Sequence, residues 1–209
     1  MDFMALKREG ALMLLSVAAL GIITALIFLP EAVNEEPALV LVRLFALYGY
    51  LFLSIAVLTT PFLKEIILAF GKPFLKIHHS FSIIGIVLIT LHPVFNAVQQ
   101  ISFSVFIPRF ESWLAFWTYG GRLAFIILYI AIAAAFLRKK IPKQWRPFHA
   151  LTYIVLLFAI VHAFLIGKDF QNVWITIIFS SLFAASIAGF VLKRYKNYSM
   201  KKRIGITAK

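Results

Sequence analysis

Five residues in this chain carry imidazoles: His78, His79, His92, His149 and His162. His78 and His92 are 14 residues apart, and His149 and His162 are 13 apart. On helices these separations are ~21 and ~19.5 Å along the axis. A bare metal ion needs ligands that converge on one point. Two histidines level with each other, and two more about 20 Å away, instead define two separated points with two imidazoles each. That arrangement suits two stacked bis-histidine haems. With no cysteine in the chain, disulfides, iron–sulfur clusters, thiolate-ligated haem and covalently attached haem are excluded.

Helical phase constrains the pattern further. Fourteen residues at ~100° each leave His78 and His92 about 40° from a common face, and the same arithmetic prefers His78 over His79 as the partner of His92. Thirteen residues leave about 140°, so a π-bulge or a 3₁₀ turn is required between His149 and His162. Gly85 lies midway between His78 and His92, where it either opens room for two approaching porphyrins or lets two helices pack closely. The 22 phenylalanines suit haem walls, but most are expected to face lipid or core.

The elements that must position these histidines are membrane spans. The chain has 209 residues, 62% hydrophobic and only 14% charged, with a mean hydropathy of +0.94. A soluble domain is roughly 45–50% apolar and ~25% charged. Spanning segments must satisfy their own backbone polar groups, and the apolar runs are too long for barrel strands. About 20 apolar residues cross a bilayer core as a helix. The expected fold is therefore an all-α membrane protein, a six-transmembrane-helix bundle forming a single domain over residues 1–209. Spans are placed near Ala11–Leu29, Ala38–Phe62, His78–Val98, Tyr119–Leu137, Phe148–Ile166 and Val173–Leu192. The run after Lys7 and Arg8 is long for a signal peptide and no cleavage-site pattern follows it, so it is read as a span.

Charge sets the orientation. The two tails and the loops after the second and fourth spans carry 17 of the 21 lysines and arginines, leaving Arg43, Arg109, Arg122 and Lys168 on the other side. Positive-inside bias then puts both termini in the cytoplasm. The third and fifth spans run parallel, with His78 level with His149 and His92 level with His162. Topology also accounts for the net charge of +13, so nucleic acid is not expected as a partner. The tail Lys193–Lys209 is read as a stop-transfer cluster that can also attract anionic lipid or an acidic partner.

An ionisable residue inside a membrane is a functional-site hypothesis by default. A lone histidine can simply hydrogen-bond a neighbouring helix, but two matched pairs are harder to assign to structure alone. The competing class is a haem-free transporter or proton-coupled channel that uses the histidines as a relay. The spans lack Asp and Glu, and the carboxylates are expected in tails and loops away from the histidines, which counts against it. A scaffold subunit with structural histidines is a third class.

The His78-x13-His92 pair on one span and Phe148-His149-x3-Tyr153-x8-His162 on another resemble the ferric-reductase-like transmembrane domain. That superfamily includes NADPH oxidases, ferric-chelate reductases and the haem-binding subunit of bacterial methionine-sulfoxide reductase systems. The resemblance covers roughly Ala38 to Leu192. It implies two b-type haems, one on His78 and His149 and an outer one on His92 and His162, with electrons carried across the membrane. Thr60-Pro61 and Trp145 are similar to the sulfoxide-reductase subunit, which has a similar length. That subunit tends to carry arginines where this chain has His78 and His79, a departure that favours two filled sites.

Oxidases and reductases of this type usually continue into a flavin and NADPH domain, whereas here no G-x-G-x-x-G segment is present. The resemblance therefore implies an oxidoreductase electron-transfer subunit that binds no flavin itself. Its electrons would come from a separate flavoprotein or from quinol. The basic loop Arg138–Arg146 is a candidate docking face, and it could also contact haem propionates. On the outer side, the aromatic loop Ile101–Thr118 reads as an interfacial segment and a cover for the outer haem. Arg122 either pairs with a propionate or acceptor, or snorkels to the interface. The chain is expected in the cytoplasmic membrane as a multi-pass cytochrome b, with lipid around it and a redox partner at the outer face.

Overall fold

The structure is a computed structural model that describes residues 7–203. Among the described residues it is helical throughout, and six helices are long and apolar enough to cross a membrane. Helix α1 spans Arg8–Ala32, and α2 spans Pro37–Thr59 with Pro37 in its first turn, where a missing N–H costs nothing. At Pro61 the chain tightens into a 3₁₀ turn over Thr60–Phe62 and continues as α3, Leu63–Phe70. Gly71 ends α3 at φ 59°, a left-handed conformation that glycine adopts without steric cost. Helix α4 covers Phe74–Gln100, including Pro93.

The connection after α4 holds a 3₁₀ turn at Phe103–Phe106 and the short α5, Trp113–Thr118, capped by the Ser112 hydroxyl. Then follow α6 at Gly120–Phe136, α7 at Trp145–His149 and α8 at Thr152–Ile166. Helix α9 runs over Val173–Arg203. The fifth expected span is thus two helices, broken at Ala150 and Leu151. Leu151 N–H there bonds to Phe148 O and Tyr153 N–H to Ala150 O, three residues back, while Ala150 N–H still reaches Arg146 O. This is a local irregularity of the kind the 13-residue spacing calls for; at ~120° per residue in place of ~100°, it recovers about 60° of the offset. The sixth span continues about three further turns into the basic tail, to Arg203; Lys209 lies outside the described residues.

Helix α2 is central: 61% of its most apolar stretch is buried, against 17–28% for the other five spans. It packs antiparallel on α4, while α6 packs antiparallel on α8. Phe28, Leu47, Tyr50, Leu156 and Phe179 close the core between α1, α2, α8 and α9. The outward surface carries Leu15, Ile22 and Leu26, each more than half exposed. Such a surface is unfavourable against water and suited to lipid.

Candidate functional site: two histidine pairs

At the end of the bundle where α1 begins and α9 finishes, here the basic end, His78 and His149 meet. Their ring centroids are 6.3 Å apart at an interplanar angle of 76°. Two imidazoles each bound about 2 Å from one metal would have centroids about 6 Å apart. Local chain chemistry sets up the first of them. Thr60 N–H turns back to Val57 O as α2 tightens ahead of Pro61. The Ala56 carbonyl, which Thr60 would otherwise occupy, accepts from His78 Nδ1 at 3.0 Å and from the Thr59 hydroxyl. His149, the last residue of α7, donates from Nδ1 to Ala131 O at 3.1 Å. Phe74 stacks on His78 at 5.5 Å, and Ser82 Oγ lies 3.4 Å from His78 Nε2.

His92 and His162 both line a cavity of about 670 Å³ at the far end, bounded by α2, α4, α6 and α8 together with the far-end connection, the α8–α9 turn and α9. His92 Nδ1 donates to Val42 O at 2.9 Å, and His162 Nδ1 to Thr118 O at 2.5 Å. Here too a helix end frees the acceptor: Arg122 N–H goes to Tyr119 O, leaving Thr118 O for the imidazole. Gly121 provides clearance, because a Cβ there would sit 3.0 Å from His162 Nε2.

One register governs all four bonds. The acceptors Ala56 and Val42 are 14 residues apart, as are His78 and His92; Ala131 and Thr118 are 13 apart, as are His149 and His162. Each antiparallel helix pair therefore repeats one contact at two depths. A carbonyl can only accept, so every Nδ1 carries the proton and every Nε2 keeps its lone pair. Metal-binding imidazoles are oriented in just this manner. His79 is different: it is exposed and, among the described residues, is the one histidine without a ring-nitrogen bond to a carbonyl. The geometry singles out His78 of the adjacent pair.

One open alternative is decided and one expectation needs revision. Of its two expected roles, Gly85 has the packing one: a Cβ there would lie 2.9 Å from Leu53 N, so the glycine serves close packing of α4 on α2. The carboxylates do not all lie away from the histidines. Asp169 is 6% exposed and lines the same cavity as His92 and His162. It accepts from Arg43 NH2 at 2.6 Å and from Nε at 3.3 Å. Arg43, itself 7% exposed, also pairs with Glu35, and Glu35 with Lys168. This clasp joins the α1–α2 turn to the α8–α9 turn, where Asn172 also donates to Glu31 at 2.6 Å. Arg43 inside a predicted span was the available signal, because a charge at that depth needs a partner.

Lys168 donating to it, together with Arg43, holds the Glu35 carboxyl below the usual carboxylate range against the opposing effect of burial. Arg122 uses one guanidinium nitrogen to donate to Ser104 O at 2.7 Å and Ile107 O at 2.9 Å, so it fastens the far-end connection.

The donor set fits an axially ligated macrocycle. Four imidazoles present Nε2 lone pairs in two pairs, that of His78 lying 3.4 Å from Ser82 Oγ; one pair lines a largely apolar cavity of ligand-binding size, and the lack of a Cβ at Gly121 leaves the His162 ring uncrowded. Among the described residues there is no group of three or more His, Asp and Glu that could hold a bare ion. No protein-family model, curated protein or solved structure matches this chain.

Proposed function

We propose that this chain is a di-haem b-type membrane cytochrome of the ferric-reductase-like kind, carrying electrons between the two faces of a bilayer. The observation that carries the reading is the matched set of four Nδ1–carbonyl bonds, which leaves two pairs of Nε2 atoms at two depths. On this reading His78 and His149 bind the iron at the basic end, and His92 and His162 bind the one at the far end. Haem at these positions would supply a one-electron carrier at each level.

The remaining work belongs to the chain. The carbonyls of Ala56, Val42, Ala131 and Thr118 fix ring orientation and raise ligand basicity. Buried Leu47, Leu128 and Leu156 give the far cavity an apolar wall, and burial is one of the levers that set potential. Positive-inside bias orients the basic end to the cytoplasm, where a separate flavoprotein or quinol supplies electrons and Arg138–Arg146 forms the docking face. An acceptor takes them at the far side, and the membrane is the cytoplasmic one.

A second reading, a haem-free transporter or proton-coupled channel, draws on the buried Arg43–Asp169 pair on the cavity wall, since buried charge often marks a substrate path. One experiment separates the two: a reduced-minus-oxidised visible spectrum of the purified protein, with haem quantified per chain. A low-spin b-type spectrum with two haems per chain is expected. A colourless protein from cells supplied with haem would overturn the cytochrome reading and promote the transporter.

A further inference from the structure

Three of the four Nδ1 acceptors, Val42, Ala56 and Ala131, belong to spanning helices, whereas Thr118 is the last residue of the short α5 in the far-end connection. Its neighbours on both sides are anchored. Trp117 stacks on Phe158 of α8, with centroids 5.0 Å apart and planes at 22°; Phe158 lies one turn before His162. The ring of Tyr119 lies under the guanidinium of Arg122 at 4.5 Å and under that of Arg109 at 4.9 Å. Elsewhere the connection is open to its surroundings: Phe103 is 83% and Trp113 75% exposed.

We infer that this connection is a positioning element for His162, in which Trp117 and Tyr119 hold the Thr118 carbonyl at the imidazole. The inference rests on the haem reading above and adds to it a control over one iron alone. The Nδ1–H···O bond makes Nε2 a stronger donor, which favours ferric over ferrous iron. Displacing the carbonyl weakens that preference. For a one-electron couple, each tenfold loss raises the midpoint potential by about 59 mV. His78 and His149 bond to carbonyls of spanning helices, so the basic-end iron is not touched through this route.

The test is a potentiometric titration of the visible spectrum for the wild type, Trp117→Ala, Tyr119→Leu and the conservative pair Trp117→Phe and Tyr119→Phe. The far-end component is identified as the one missing in His92→Ala. An upward shift, or a loss, confined to that component in Trp117→Ala and Tyr119→Leu, and reversed in the two phenylalanine variants, is the expected result. Unchanged potentials in all four variants would overturn the inference while leaving the cytochrome reading intact. Equal shifts of both components would overturn it as well, since a general loosening of the fold would then be the cause. A wild type without haem would remove the reading beneath it, an outcome visible before any variant is made.

Discussion

The two histidine pairs use the same bond and differ in everything around it. At the basic end the rings stand 6.3 Å apart beside helix ends, with Phe74 and Trp145 against them. At the far end they flank a large cavity whose wall includes a buried, charge-balanced clasp. Every ion pair among the described residues lies at the far end. Ligand geometry decides whether a metal binds, and the surroundings decide its potential and how firmly it is kept. The comparison therefore separates what the pairs share, an Nδ1 bond to a main-chain carbonyl, from the surroundings that differ.

The strongest way to break the comparison is to remove a ligand. Replacing His92 or His162 by Ala should abolish the far-end component and halve haem per chain, and replacing His78 or His149 should do the same at the basic end. Retention of two haems in any of these variants would refute the assignment. Next in size is the clasp. Arg43→Ala leaves Asp169 and Glu35 without their shared cation, and breaking a buried pair in this way costs about 3–5 kcal/mol. Thermal unfolding followed by the haem band should show the loss, with the far-end component bleaching first.

Two glycines sharpen the contrast at a smaller scale. Gly121→Val places a side chain against His162 Nε2 and should weaken the far-end component selectively. Gly85→Ala drives α4 off α2 and should lower stability by about 1–3 kcal/mol, with both components lost together on heating. If Gly121→Val lowered stability and spared the spectrum, the clearance argument would fail.

Acid provides a gentler perturbation of the clasp. Because the Glu35 pKa is depressed on folding, its contribution is fully present above the usual carboxylate value of 4.5 and is lost as pH falls through the lower folded value. Unfolding temperature should therefore decline below pH 4.5 in the wild type, and Glu35→Gln should flatten that decline. Least of all should be felt at His79, where substitution by Ala should leave both components in place.

Much of this was legible in the residues because hydrophobic length and positive charge act locally. All six long apolar helices fall where composition predicts, and an irregularity of the kind the 13-residue spacing called for is found at Ala150–Leu151. What escaped was long-range. Arg43 and Asp169 are 126 residues apart in sequence, and no local pattern pairs them. Gly85 and Gly121 look alike in sequence and differ only in what a neighbouring helix places opposite them. The acceptors for the four imidazoles were equally hidden, being main-chain atoms of residues with no polar signature in three cases of four.

That last feature has a practical side. Substituting Val42, Ala56, Ala131 or Thr118 changes a side chain and leaves its C=O in place, so a residue-by-residue mutational scan would pass over the whole set of imidazole partners. Inserting or deleting a single residue in α2 or α6, by contrast, would rotate the next carbonyl about 100° away from its histidine. The acceptors of the four imidazoles are set by backbone register, so chains that differ widely at these four positions can keep the same bonds, and one frame slip in a helix can erase them.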